Sequence, residues 1–247
     1  MINVLFEDKY LIVVNKPSGM PSQATLDPNR DHCYAAVRRY LEENAAGDEK
    51  NKIYVGLHHR LDALTSGVIL MTKDESANAS ISEQFQTHTI EKTYCAICTC
   101  GLDVPPKYRT PGSAWLIDNP IGELPGGRMQ KFGVNGKKRK MAKTQVTCEV
   151  AFELRDGVCG VYRCQPLTGR THQIRVHLAS IGLPIIGDPL YGQPLPRSLR
   201  TIDPKRLCLH AEKLTVQHPS TREYVEISAP RPQEFENLIR KLKKLGH

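Results

Sequence analysis

Strand-like runs outnumber helical ones along this chain, and the two kinds do not alternate strictly. Strict alternation would select a parallel sheet with crossover helices; its absence selects an α+β fold built on a mixed, largely antiparallel sheet flanked by helices. Residues 2–14 read as a pair of strands broken at Glu7-Asp8-Lys9, and LIVV runs into Asn15-Lys16-Pro17-Ser18-Gly19, a dense turn signal. VILM at 68–71 reads as a short buried strand, IEKTYCAICTC as the next, and 144–154 with 158–166 as a further pair, followed by strands in RLCLHAEKLTV and EYVEISAP. Helical spacing is found over 33–46 (Ala36, Val37, Tyr40, Leu41) and over 75–87, where Asp74 caps and Ala77, Ile81 and Phe85 share a face. A third helix follows LTGRTHQ, with Ile174, Leu178 and Ile181 inward, Gly182 ending it and Pro184 beyond. The fourth, over 232–247, is amphipathic through Leu238, Ile239, Leu242 and Leu245. With no repeat and no clean linker, a single domain over 1–247 is expected, interrupted by a long excursion rich in Gly, Pro and charge at 101–143.

Composition narrows the class. The 247 residues carry a net charge of +8, which favours a polyanionic partner, with a merely solvated basic surface as the alternative. The N-terminal segment is interrupted by Glu7, Asp8 and Lys9 where a secretory leader needs an unbroken apolar core, and no run approaches the ~18 apolar residues of a membrane span, so a cytoplasmic protein is expected. The eight cysteines then read as reduced, small hydrophobes. CAIC has the spacing of a zinc knuckle, but no second pair or His pair accompanies it. In a strand, Cys95 and Cys98 point to opposite faces, so no metal is expected.

Three clusters could carry chemistry. In HHRLDALTSG (58–67), two histidines, Arg60 and Asp62 stand at the mouth of the buried VILM strand; Asp62 is either a turn residue accepting backbone N–H groups or an ionised carboxylate held ready as nucleophile or base. In LTGRTHQIRVHLASIG (167–182), Arg170, Thr171, His172 and Arg175 surround a helix start capped by Thr168 or Thr171, a setting for a phosphate or carboxylate, or else a capped surface helix. In GGRMQKFGVNGKKRKMAKT (126–144), Arg128, Lys131, Lys137, Lys138, Arg139 and Lys140 with Lys143 make a flexible cationic loop whose one aromatic, Phe132, suits a stacked base. Lys16 and the run Arg240, Lys241, Lys243 and Lys244 are weaker signals of the same kind.

These segments, in order, resemble the RluA-type RNA pseudouridine synthases. LIVVNKPSGMPSQ resembles the family's opening, HRLDALTSGVILMTK its catalytic motif, EKTYCAI its Lys-x-Tyr strand, KMAKTQVTCEV its basic-to-strand segment, LTGRTHQIRVHLASIGLPIIGDPLYG its most extended signature, and LCLHAEKLTVQHPSTREYVEISAP its C-terminal strands. The resemblance implies a stand-alone isomerase without cofactor or metal that converts a uridine of structured ribosomal or transfer RNA to pseudouridine. It implies Asp62 as the catalytic aspartate, attacking sugar or ring, Tyr94 as the tyrosine that packs on the uracil and helps remove the C5 proton, Arg175 as the partner of the aspartate, and Arg60 as the side chain that fills the space of the flipped base. A monomer is expected. Two departures stand out: the pattern starts within the first dozen residues, where many members place an S4-like RNA-binding domain first, and NKPSGMPSQ lacks the family's frequent histidine, which leaves the role of Ser22 and Gln23 open. Two other readings remain. An idle RNA-binding or assembly protein would not need Asp62, Tyr94 and Arg175; an Asp-dependent hydrolase or phosphotransferase would want Mg²⁺ and clustered carboxylates, and only Asp74 and Glu75 lie near.

Overall fold

The computed structural model describes residues 2–46, 52–125, 131–199 and 206–245. In chain order its elements are β1 (Asn3–Glu7), β2 (Leu11–Lys16), α1 (Cys33–Asn44), β3 (Gly56–Leu57), β4 (Ser66–Thr72), α2 (Asn78–Gln86), β5 (Glu91–Cys100), β6 (Ala114–Asp118), β7 (Ile121–Leu124), β8 (Lys131–Gly133), β9 (Lys137–Lys140), β10 (Lys143–Leu154), β11 (Gly157–Pro166), α3 (Gln173–Ser180), β12 (Leu209–Gln217), β13 (Tyr224–Ser228) and α4 (Gln233–Leu245). The chain folds as two compact units, one formed by residues up to Lys92 with Ala211–Pro230, the other by Thr93–His210 with Arg231 onward.

In the first unit the strands run in the order β1-β2-β4-β12, with β3 beside β4 and β13 beside β12. The acidic break expected after β1 is a working turn: the Asp8 carboxylate accepts the N–H groups of Tyr10 and Leu11 at 2.8 and 2.7 Å, which sends β2 back antiparallel to β1. β4 is buried along its whole length, as a central strand must be. Leu11, Val13, Val68 and Leu70 form the core with Ile81 of α2 and with Leu214, Val216 and Ile227. The first part of the expected 75–87 helix is a tight turn over Glu75–Ala77, closed by Asp74 accepting from the Ser76 N–H, and α2 follows it.

In the second unit β5, β11, β10 and β6 form an antiparallel sheet in that order. Side chains alternate in and out along the first half of β10, as a half-covered strand requires. Helices α3 and α4 pack on this sheet, α4 burying Phe235, Leu238 and Leu242. The excursion at 101–143 is not a loop: within it lie β6 and a separate three-stranded sheet in the order β8-β7-β9. The Gly and Pro content that read as irregular marks the tight turns between short strands, each too brief for a period-two pattern to register. The Cys95–Cys98 segment is strand, and all eight cysteines are buried free thiols. Among the described residues no helix is long and apolar enough to cross a membrane.

Candidate active site

Asp62 lies in the connection between β3 and β4, partly exposed, in a turn closed by the Thr65 N–H donating to its carbonyl at 3.0 Å. The backbone around it is clamped by the NKPSGMPS segment. Lys16, the last residue of β2 and 0% exposed, directs its ammonium at the carbonyls of Pro17 (3.0 Å), Met20 (2.7 Å) and Ala63 (3.1 Å). Ser18 Oγ donates to Leu64 O at 2.6 Å and the Gly19 N–H to Ala63 O at 2.8 Å. Ser22, whose role the sequence leaves open, donates to Leu61 O at 2.8 Å and accepts from the Leu61 N–H at 3.0 Å. The residues on both sides of Asp62 are thus fixed through their peptide groups.

The two histidines brace the same loop from behind. His58 bonds Ser82 Oγ through Nδ1 at 2.9 Å and meets Thr72 Oγ1 and Asn78 Oδ1 through Nε2. His59 stacks on Phe85 at 4.6 Å and its Nε2 accepts from the Leu70 N–H at 2.9 Å. Burial, with the nearby Lys92 and His58, pushes the His59 imidazole down to about 3, so it stays neutral and keeps that acceptor. The loop ends at Gly67, where φ is +115° and a Cβ would run into the Ala211 backbone, so only glycine fits. Arg60, beside this braced turn, is exposed.

In the second unit Tyr94 stands on β5 directly across from Cys164 of β11. Arg175, in the first turn of α3, is 3% exposed and grips Asp188 with Nε at 2.7 Å from Oδ2 and an Nη at 2.8 Å from Oδ1. Burial raises the Asp188 carboxyl, but the Arg175 hydrogen bonds and charge, with the N–H groups of Leu190 and Tyr191, outweigh it and hold it below the usual range. The Tyr191 ring covers the guanidinium at 5.2 Å. Its hydroxyl accepts the Phe132 N–H at 3.0 Å and bonds His172 Nδ1 at 2.9 Å.

The α3 start departs from expectation. Neither Thr168 nor Thr171 stands at the cap position; His172 does, in the left-handed region at φ +57° and with no side-chain hydrogen bond to the helix start. The Gln173 side chain takes over the local hydrogen bonding, its carbonyl oxygen accepting from Thr168 Oγ1 (2.7 Å) and the Arg170 N–H (3.0 Å). Arg170 donates through Nε to Met141 O at 3.0 Å, and Thr171 is exposed. The helix ends at Ser180, one residue before Ile181. Lys137, Lys138, Arg139 and Lys140 are all exposed along β9, so the cationic loop is a strand there. Phe132, the aromatic of this loop, meets His172 in a T-shaped contact at 5.7 Å. Lys131 begins β8, and Arg128 lies outside the described residues. Among the described residues no group of three or more His, Cys, Asp or Glu side chains is placed to hold a metal ion. Sequence reasoning missed Ser22, Asp188 and Tyr191 as organisers. For Asp188 a signal existed: an acid in a Gly-Asp-Pro turn close in sequence to a buried-helix arginine.

Residues 10–180 match the family model described as RNA pseudouridylate synthase. The chain is 34% identical to the RNA pseudouridine synthase YlyB of Bacillus subtilis over 99% of its own length and 74% of that protein's. To ribosomal large subunit pseudouridine synthase C of Yersinia pestis it is 33% identical, covering 98% and 69%. The solved human RNA pseudouridylate synthase domain containing 4 superposes with a TM-score of 0.74 at 26% identity, over 98% of this chain and 93% of that one. The chain spans less than two thirds of the chloroplastic RNA pseudouridine synthase 2 of rice and of Arabidopsis, 64% and 66%.

Proposed function

The chain belongs to the RNA pseudouridylate synthase family, of the RluA type, and from that membership we propose that it isomerises a uridine in structured RNA to pseudouridine. The C1′–N1 bond breaks, the uracil turns, C1′ bonds to C5, the C5 proton leaves and N1 gains one. Atoms and electrons balance within the substrate, so the reaction calls for no cofactor. In this reading Asp62 attacks the sugar or the ring, Tyr94 packs on the uracil and assists loss of the C5 proton, and Arg175 is the basic residue that pairs with the aspartate. Both units serve this one activity.

The observation that carries the reading is the clamp on the Asp62 turn. Lys16, Ser18 and Ser22 fix the backbone on both sides of one carboxylate, as a nucleophile that must meet a reacting atom requires. A stacked base must leave its helix first, at a cost of a few kcal/mol that backbone contacts offset. Exposed Arg60 is assigned to the vacated space. Arg170, Thr171 and His172, the β9 cations Lys137, Lys138, Arg139 and Lys140, and Lys131 and Arg128 are assigned to the phosphates. Because relatives are named as ribosomal large subunit pseudouridine synthases, ribosomal RNA is the first substrate to test, with transfer RNA beside it. We take the protein to act as a monomer in a reducing, cytoplasmic setting, which suits eight free thiols.

The test is tritium release from [5-³H]uridine-labelled ribosomal and transfer RNA, separately, with EDTA present. Wild type should release tritium and Asp62→Asn should not. Tight RNA binding without release from either pool would turn the reading into an idle RNA-binding protein, and release abolished by EDTA would point to a metal-dependent reaction instead.

A further inference from the structure

The basic strands and the buried arginine meet at one side chain. Tyr191 receives its backbone position from Asp188, whose Oδ1 accepts the Leu190 and Tyr191 N–H groups at 2.9 and 3.1 Å. That same oxygen takes an Arg175 Nη at 2.8 Å. The Tyr191 ring then lies over the Arg175 guanidinium. Its phenol oxygen reaches the other way, accepting the Phe132 N–H in the middle of β8. An oxygen that accepts there can still donate its own hydrogen to His172 Nδ1. Phe132, Val134 and Tyr191 pack together on Ile121, Ala142 and Val176, which joins the small basic sheet to α3.

We propose that Tyr191 is a positioning residue that couples the basic sheet β8-β7-β9 to Arg175, fixing the spacing between an RNA backbone seated on β9 and the arginine; the inference rests on the activity proposed above. The two functions divide between two parts of one side chain. The ring face steadies the guanidinium, and the hydroxyl registers the sheet. His172 is held in a left-handed conformation that an ordinary residue adopts only when its surroundings fix it, and the Tyr191 hydroxyl supplies one such contact.

Two variants separate the parts. Tyr191→Phe keeps the ring and removes the hydroxyl. Its Phe132 amide should exchange with solvent about ten-fold faster, the factor expected for a lost hydrogen bond. KM for RNA should rise about ten-fold while kcat falls less than about two-fold, because phosphate contacts are displaced and the arginine is not. Tyr191→Leu removes the ring as well, and kcat should then fall about thirty-fold further, the scale of a desolvated cation–π contact. Unchanged Phe132 exchange and unchanged KM in Tyr191→Phe would overturn the proposal, as would a kcat loss in Tyr191→Phe equal to that of Tyr191→Leu. If wild type releases no tritium yet Tyr191→Phe still speeds Phe132 exchange and weakens RNA binding, the registration of the sheet stands, and both the isomerase reading and the coupling to Arg175 fall.

Discussion

The Asp62 turn and the Arg175 site present one charged group each, and they are held by opposite means. Around Asp62 the holding is done through peptide groups: Lys16, Ser18 and Ser22 bond the carbonyls and one N–H of residues 61, 63 and 64. Around Arg175 it is done through side chains: a bidentate carboxylate, an aromatic face and a phenol in series. A clamp on the backbone fixes the aspartate's place in the chain through its neighbours' peptide groups. A clamp on the guanidinium spends much of its donor capacity on Asp188 and fixes its plane. The first arrangement suits a group that must form and break bonds, the second a group that must supply charge in a constant place.

The difference predicts unequal costs of breakage. The largest should come from Asp188→Ala, which strips the bidentate carboxylate from a guanidinium that is 3% exposed. Breaking a buried pair from one side costs about 3–5 kcal/mol. For a chain of this length that lowers the melting temperature by on the order of 10 °C, measurable by thermal unfolding. Asp188→Asn should cost less, since it can still accept the Leu190 and Tyr191 N–H groups. Equal losses in the two variants would mean that the charge, and not the turn, is what Asp188 supplies. Next in size is Lys16→Met, which withdraws a donor from three carbonyls at once. About 2–3 kcal/mol of stability should go with it. The loss in kcat should reach about a hundred-fold, because a loosened loop misplaces Asp62. A variant that lost the stability but kept kcat would break the comparison, by showing that Asp62 does not depend on its backbone clamp.

The same contrast explains what could be read from the sequence. Asp62, Tyr94 and Arg175 stand out as residue types in ordered motifs, and the strand count with its lack of alternation was enough for an α+β fold. The clamp on Asp62 was not legible, because its acceptors are backbone carbonyls that any residue carries; nothing in "Leu61" or "Ala63" says that Ser22 or Lys16 will bond it. The three-stranded sheet hid for a different reason: strands of three or four residues such as β8 and β9 are too short to show alternation, so KKRK read as a loop. His172 displaced the threonine caps because the Gln173 side chain satisfies the neighbouring groups from within the helix, a tertiary choice that propensity does not encode.

Acid should expose the histidine brace of the Asp62 turn. His59 is held neutral with its imidazole pushed down to about 3, and burial lowers His58 as well. A folded value below the unfolded one means that the unfolded chain takes up the proton first, so stability is full above about pH 6.5 and is lost as pH falls toward about 3. For His59 the loss should be about 2 kcal/mol by about pH 5, at a limiting slope of about 1.4 kcal/mol per pH unit. Urea unfolding across that range measures it. His59→Gln, which can still accept the Leu70 N–H, should flatten the slope, and an unchanged slope would assign the acid sensitivity to other groups, such as buried His177 of the second unit.

The smallest effect isolates the peptide clamp from everything else. Ser22→Ala removes a hydroxyl that is both donor and acceptor to Leu61, without touching charge or the basic strands β8 and β9. It should cost about 1–2 kcal/mol in urea unfolding. kcat should fall several-fold while RNA affinity stays with wild type, because Leu61 adjoins Asp62 and Ser22 is buried away from solvent. A matching change in RNA affinity would mean that the clamp positions exposed Arg60 as much as Asp62, since both flank Leu61. No change in kcat would leave Lys16 and Ser18 as sufficient holders of the turn.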